Sequence, residues 1–287
     1  MVKSTGEKVF DAGNVIFMVI LSALFVFPLL MIICVSLSSA EAISKYGYSL
    51  LIRGFTFKWY KHIFVADNIS IFRALLNSVF MTVTSTVIMV INVSLYSYAV
   101  TRPELQGKKF FNLLLVIPML FAGGMIPYYL IIKNLGLLNS MWAIILPSGV
   151  NAWFIMLAKN FFKSLPESFV ESAKLEGANN LQVLYKIVVP LAFPIIATII
   201  LYTAVAVWND WFQASLFLDS AHKHLWPVQA VLNELNTSLS TAGRDPTISA
   251  QGVYSAAIIV STLPIVIVYP FLQRFFIGGA LVGGVKE

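Results

Sequence analysis

The chain has 287 residues, of which 59% are hydrophobic and only 11% charged, with a mean hydropathy of +0.84; soluble globules carry about a quarter charged residues. A water-soluble enzyme or binding module is therefore excluded, and an all-α polytopic membrane protein is expected. The net charge of +6 does not point to nucleic acid, because Lys and Arg are scattered along loops without interleaved aromatics, and the lone Cys34 sits in an apolar run where it offers neither disulfide nor metal cluster.

In chain order, Lys3 and Lys8 precede an apolar run over 14–37. That run is longer than the roughly 7–15 residues of a signal-peptide core and matches the roughly 20 needed to cross a bilayer, so it reads as a first span rather than a cleaved leader, although Ala40-Glu41-Ala42 imitates a cleavage site. Residues 38–74 form a polar and aromatic connection with Trp59, Tyr60 and His62 near its middle, expected to rest on the outer membrane interface. Further spans are expected over 75–100, 110–133, 138–162, 191–212 and 252–275. Pro118, Gly123-Gly124 and Pro127 fall in the third, Pro147 and Gly149 in the fourth, Pro194 in the fifth, and Pro264 and Pro270 in the sixth. Such residues in lipid predict kinks, with the freed backbone groups packed inward or wet. Six spans place both termini on one side. With the span-end residues Lys133, Lys159 and Arg274 counted to the nearer side, the side that includes the loop over 163–190 carries eleven Lys and Arg against eight on the other, so it is assigned to the cytoplasm. A second polar loop over 213–251 holds Asp219, His222, His224, Arg244 and Asp245; two histidines in an exposed loop do not make a metal site without a further ligand at recognisable spacing. No internal repeat or soluble domain is evident, so 1–287 reads as one transmembrane domain.

The segment 163–190 is the most informative. Ser164 and Glu167 have capping-box spacing, predicting a helix from near Leu165. Phe169, Ala173, Gly177, Leu181 and Leu184 recur every three or four residues as an apolar stripe, with Glu167, Glu171, Lys174 and Glu176 on other faces. Ser172, Ala173, Gly177 and Ala178 are small enough for close approach by a partner, and Asn179-Asn180 reads as a turn. The order Glu171-Ser172-Ala173, three residues, Gly177, nine residues, Ile187, one residue, Val189-Pro190 resembles the EAA signature of permease subunits of ABC importers, with Ser172 for Ala and Val189 for Leu as size-conserving departures. The resemblance runs from the first span to the glycine-rich tail over 276–287. It is nearest to the carbohydrate-uptake class of maltose-importer type, and the stretch 121–147 resembles the oligosaccharide and polysaccharide subgroup.

The resemblance implies a type I importer permease fold with a cytoplasmic coupling helix that docks in a cleft of an ATPase through Glu171, Ser172, Ala173, Gly177, Ala178, Ile187 and Pro190. It implies a homologous second permease, two cytoplasmic ATPase subunits and an extracytoplasmic solute-binding protein in a bacterial inner membrane. ATP and Mg would be bound by the ATPase partners and no cofactor by this chain. Consistently, the sequence has no phosphate-binding loop, since Gly107-Lys108-Lys109 lacks both the upstream glycine and the hydroxyl residue. It also has no G-x-S-x-G elbow and no H-E-x-x-H pair, so it is expected not to be an enzyme. Asp210 is the one acid within an expected span, near its outer end, which argues against an ion-coupled secondary transporter; that reading and a non-transporting scaffold are the alternatives. Aromatic faces and hydrogen-bonding side chains suited to sugars are Asn92, Tyr96, Tyr128, Asn151, Trp153, Trp208, Asn209, Asp210 and Trp211. Five Lys and Arg against two acids in the first outer loop are compatible with acidic oligosaccharides such as alginate fragments.

Overall fold

The computed structural model describes residues 4–65, 71–241 and 249–283; Arg244, Asp245 and the end of the tail over 284–287 lie outside them. The described residues are mostly helical, without strands. Four helical stretches are long and apolar enough to cross a membrane, at Gly6–Ser36, Ile71–Thr101, Trp142–Ser164 and Ala250–Pro270, and a bent pair, Asn180–Leu191 with Phe193–Trp208, makes a fifth. The chain divides into two compact units, one of residues 1–71 and 232–263, the other of 72–231 and 264–287.

In the first unit, α1 (Thr5–Ser36) starts from a capping box in which Ser4 accepts from the Glu7 amide and Glu7 accepts from that of Ser4. The most apolar window of α1 is wholly unburied, as suits a helix meant for lipid or a partner. Two short helices, α2 (Ala40–Tyr46) and α3 (Lys58–Val65), follow. Here Trp59, expected in a connection at the membrane interface, is packed within the protein. The indole is 1% exposed and donates to the Ser38 carbonyl at 2.8 Å, because the chain offers it both an acceptor and a flat floor. The floor is Gly252, where a Cβ would stand 2.7 Å from the ring.

The second unit is built on α4 (Ile71–Thr101). The third expected span is not one helix. It is α5 (Lys108–Leu120) and α6 (Met125–Asn134), separated by extended Phe121 and by Gly124 at φ +83°, a backbone that glycine alone adopts without penalty. The fourth expected span is also interrupted, between α7 (Trp142–Ser148) and α8 (Ala152–Ser164). Its break is stitched to α4: Asn92 donates to the Gly149 carbonyl at 3.0 Å, and Gly149 lies so close to Ile88 that a Cβ would sit 2.4 Å from Ile88 Cγ2. Thus Gly124 and Gly149 stand at breaks, the second with its freed carbonyl satisfied by a neighbouring helix, whereas Pro118, Pro127, Pro264 and Pro270 lie inside unbroken helices.

Two apolar cores lie at different levels of α4. One joins Met89, Val93 and Tyr98 to Leu115, to Ile155, Ala158 and Phe162 of α8, and onward to residues 170–199. The other joins Met81 to Ile132, Ala143, Ile144 and Ile145 of α7, and to Val207, Ala214 and Phe217.

Candidate functional site

The segment after α8 departs from its predicted start. Leu165 is extended, at φ −73° and ψ 139°, because a residue preceding proline is pushed out of the helical region. Ser164 therefore ends α8, its hydroxyl donating to the Phe161 carbonyl at 2.7 Å, and α9 (Ser168–Leu175) begins behind Glu167 without a side-chain cap. The capping box at Ser164 and Glu167 does not form. One does form at Asn179 and Gln182, each accepting from the other's amide at 2.9 Å, so Asn179 opens α10 (Asn180–Val183) and is more than a turn.

Gly177 closes α9. Its φ is +84°, its amide donates to Lys174 and the Ala178 amide to Ala173, both at 3.0 Å, the double bond of a Schellman ending. A Cβ on Gly177 would meet nothing within 4 Å. Within this chain, then, the glycine answers a backbone requirement and not a steric one.

The apolar stripe is corrected as well. Val170, Ala173, Val183 and Leu184 are the buried face, seated in the core with α8 and α4, whereas Phe169 is 49% exposed, Leu181 58% and Leu175 90%. Glu171, Ser172 and Gly177 are exposed and Ala178 is half-buried. Lys174 reaches across to Glu104 of the α4–α5 loop at 2.7 Å, and that hydrogen bond holds the Glu104 carboxyl below its ordinary range.

Beyond α10 the helix widens to a π turn over Leu184–Val188, where the Val189 amide reaches back five residues to Leu184. It then runs through Val189–Leu191, α11, to Ala192. There it bends by 83° into α12 (Phe193–Trp208). Pro190 and Pro194 flank the bend, each lacking the amide that would continue the ladder. Ile187 packs against the core and Pro190 is exposed. The helix of the fifth expected span thus ends at Trp208, short of the expected Phe212.

The solute-path candidates separate into several places. Asn92 and Tyr96 line a groove of about 600 Å³ between α4, α5 and α8, but their polar ends already serve the fold, Asn92 as above and Tyr96 by donating to the Phe111 carbonyl at 2.9 Å. Trp208 is buried beside an apolar groove of about 560 Å³, and its indole N–H finds no acceptor among the described residues. Trp153 is 60% and Trp211 43% exposed, and Asn209 bonds back to the Val205 carbonyl of its own helix at 2.9 Å. Asn151 and Asp210 do come together, in a cavity of about 180 Å³. Asn151 caps α8, accepting from the Phe154 amide at 3.2 Å; Asp210 stands two residues before α13 (Phe212–Phe217) and accepts from the Gln213 amide of its first turn at 3.0 Å. Tyr128 joins them indirectly, donating to Gln213 Oε1 at 3.0 Å. Phe154, Thr203 and Gln213 of this cavity escaped the sequence reading. Gln213 alone carried a signal, the capping spacing Asp210-x-x-Gln213.

At the remaining cluster, Asp219 is spent on structure. One carboxylate oxygen accepts from the Ala221 and His222 amides and lies 2.7 Å from His222 Nδ1, and the other accepts from Asn139 at 2.9 Å. The His222 contact holds the Asp219 carboxyl below its ordinary value. The described residues contain no group of three or more His, Cys, Asp or Glu placed to hold a metal.

Comparison with known proteins found that residues 107–279 match the family described as binding-protein-dependent transport system inner membrane component. The polygalacturonan/rhamnogalacturonan transport system permease protein YtcP of Bacillus subtilis (strain 168) is 38% identical, covering 98% of this chain and 99% of the relative. The arabinooligosaccharides transport system permease protein AraQ of Halalkalibacterium halodurans is 26% identical over 91% of each. Among solved structures, a chain of a bacterial ABC transporter involved in the import of the acidic polysaccharide alginate superposes with a TM-score of 0.86 at 29% identity, covering 96% of this chain and 99% of that one.

Proposed function

Because the chain belongs to the binding-protein-dependent transport system inner membrane component family, we propose that it is one of two permease subunits of an ATP-driven importer of sugar oligomers, with the segment 163–190 as its coupling element. The observation that carries this reading is the asymmetry of α9 and α10. One face is anchored in the membrane core through Val170, Ala173, Val183 and Leu184. The other presents Phe169, Leu175 and Leu181 outward, a cost in water that a hydrophobic cleft on an ATPase would remove. Glu171 and Ser172 flank that surface, and Gly177 fixes the angle at which it is offered.

ATP and Mg belong to two cytoplasmic ATPase subunits, and this chain performs no catalysis. A homologous permease completes the pathway, an extracytoplasmic binding protein delivers solute, and both termini share the cytoplasmic side with the coupling element. Acidic oligomers are the second reading of the solute, favoured by the basic first outer loop, where the Arg53 guanidinium stacks 3.8 Å from the Tyr46 ring centroid, and by the names of the polygalacturonan and alginate relatives.

Co-expression with the ATPase and partner permease tests the proposal. Replacing Phe169, Leu175 and Leu181 together by Ser is expected to leave the permease folded and to abolish ATPase retention and solute-stimulated ATP hydrolysis. Uptake that persists without the ATPase and follows an ion gradient would instead establish a secondary transporter.

A further inference from the structure

The cavity holding Asp210 is walled by residues in or just beside α4, α8 and α12. Met89 is twelve residues from the end of α4 at Thr101, Asn151 thirteen from the end of α8 at Ser164, and Asp210 seventeen from the start of α12 at Phe193. At about 1.5 Å per residue Met89 and Asn151 lie roughly 18–20 Å from the coupling end and Asp210 roughly 26 Å, all in the outer half of a hydrocarbon layer about 30 Å thick, in keeping with the expected place of Asp210 near the outer end of its span. Two of the three walls are helix breaks, at Gly149–Asn151 and after Trp208, the kind of interruption that membrane transporters place around their solutes.

The walls have a definite chemistry. Phe154 and Met89 supply apolar surface, and Asn151, Thr203, Asp210 and Gln213 supply polar atoms. Thr203 is 3% exposed and its hydroxyl has no partner among the described residues, although Thr198 on the same helix satisfies its own by bonding back to the Pro194 carbonyl at 2.9 Å. A buried unpaired hydroxyl is destabilising, so something that visits the cavity is its natural partner. Asp210 uses one oxygen on the Gln213 amide. Among the described residues no Lys, Arg or His lines the cavity. Its volume of about 180 Å³ is below the roughly 300–1,000 Å³ of a drug-sized pocket and suits a single ring.

Resting on the importer reading above, we propose that this cavity is a one-ring subsite of the pathway for an uncharged sugar residue, with Asp210 accepting ring hydroxyls and disfavouring uronate at that position. A lone carboxylate in a partly dry cavity strengthens hydrogen bonds from hydroxyls and repels a second carboxylate that no cation offsets. The subsite thereby discriminates between the neutral and acidic solutes that the first outer loop leaves open.

The test uses the whole complex in proteoliposomes, with the binding protein saturated by either tetragalacturonate or its full methyl ester, two chains differing in charge at the same positions. Each variant's uptake is divided by that of the unaltered complex with the same solute, so the binding protein's own preference cancels. Asp210→Asn keeps an oxygen for the Gln213 amide, and is expected to raise acid uptake relative to ester by about tenfold, the effect of relieving one partly screened like-charge contact. Thr203→Val is expected to slow both solutes alike. An acid-to-ester ratio within twofold of unity for Asp210→Asn, with uptake otherwise ATP-dependent, overturns the subsite and leaves the importer standing. Uptake of neither solute by the unaltered complex also overturns the subsite, and uptake independent of ATP overturns the importer reading beneath it.

Discussion

Replacing Gly177 separates two roles that a glycine can play. At φ +84° any L-residue with a Cβ pays about 1–2 kcal/mol for the left-handed conformation, and Asn pays least because its short polar side chain tolerates it. Since nothing lies within 4 Å of the would-be Cβ, no steric charge is added in the subunit itself. Gly177→Ala is therefore expected to speed hydrogen exchange at the Gly177 and Ala178 amides by about fivefold or more, the factor for about 1 kcal/mol, with Gly177→Asn closer to the unaltered chain and Gly177→Trp no worse than Ala. In the assembled complex the ranking is expected to change, Trp releasing the ATPase while Ala retains it. Equal exchange in Ala and glycine forms would refute the conformational argument, and equal ATPase retention by Ala and Trp variants would refute close approach by a partner.

Gly149, by contrast, has an ordinary φ of −81°, so Gly149→Ala should destabilise only by collision with Ile88, by about 1–3 kcal/mol; Ile88→Ala in the same chain should restore part of the loss in a thermal unfolding series. Asn92→Leu leaves the Gly149 carbonyl unpaired at a helix break and is expected to cost about 1–3 kcal/mol, with Asn92→Gln less damaging, as read by detergent thermostability. The Glu104 carboxyl is held low by Lys174, so the tie between α9 and the α4–α5 loop is complete above the ordinary carboxylate range and is lost as pH falls through the depressed value. Exchange at α9 amides, corrected for its intrinsic pH dependence, should accordingly rise at acid pH in the unaltered chain and be insensitive to that change in Glu104→Gln.

The membrane class and the positions of the long spans were legible because twenty-odd apolar residues in a row admit one explanation, and the segment 163–190 stood out because its Glu, Gly, Ile and Pro keep an ordered spacing. What misled the reading was local competition. Ser164 and Glu167 have the right spacing for a cap, but Pro166 forbids the helix between them. Phe169 and Leu181 share a period with Ala173, yet α9 and α10 are separate helices, so a single 3.6-residue period cannot be carried across Gly177. Trp59 looked interfacial by composition, and only a glycine almost two hundred residues later gives it a place to be buried. The cavity was illegible for the same reason: Met89, Asn151 and Asp210 meet only once α4, α8 and α12 are packed.

The right-angled corner at Ala192 has a mechanical meaning. Val183, Leu184 and Val188 on one arm and Ile196 and Ile199 on the other sink into one core with Ala192 at the vertex, so the corner is braced and the two arms turn together as a bell-crank. The shorter arm, from Asn180 to Leu191, is roughly 18 Å long and α12 roughly 24 Å. On the importer reading proposed above, a rotation that shifts the end at Asn180 by a given distance displaces the far end of α12, with Thr203 along it and Asp210 just past it, by up to about a third more. Stroke is then gained at the proposed subsite and force is given up, a gearing suited to opening a passage rather than squeezing it shut.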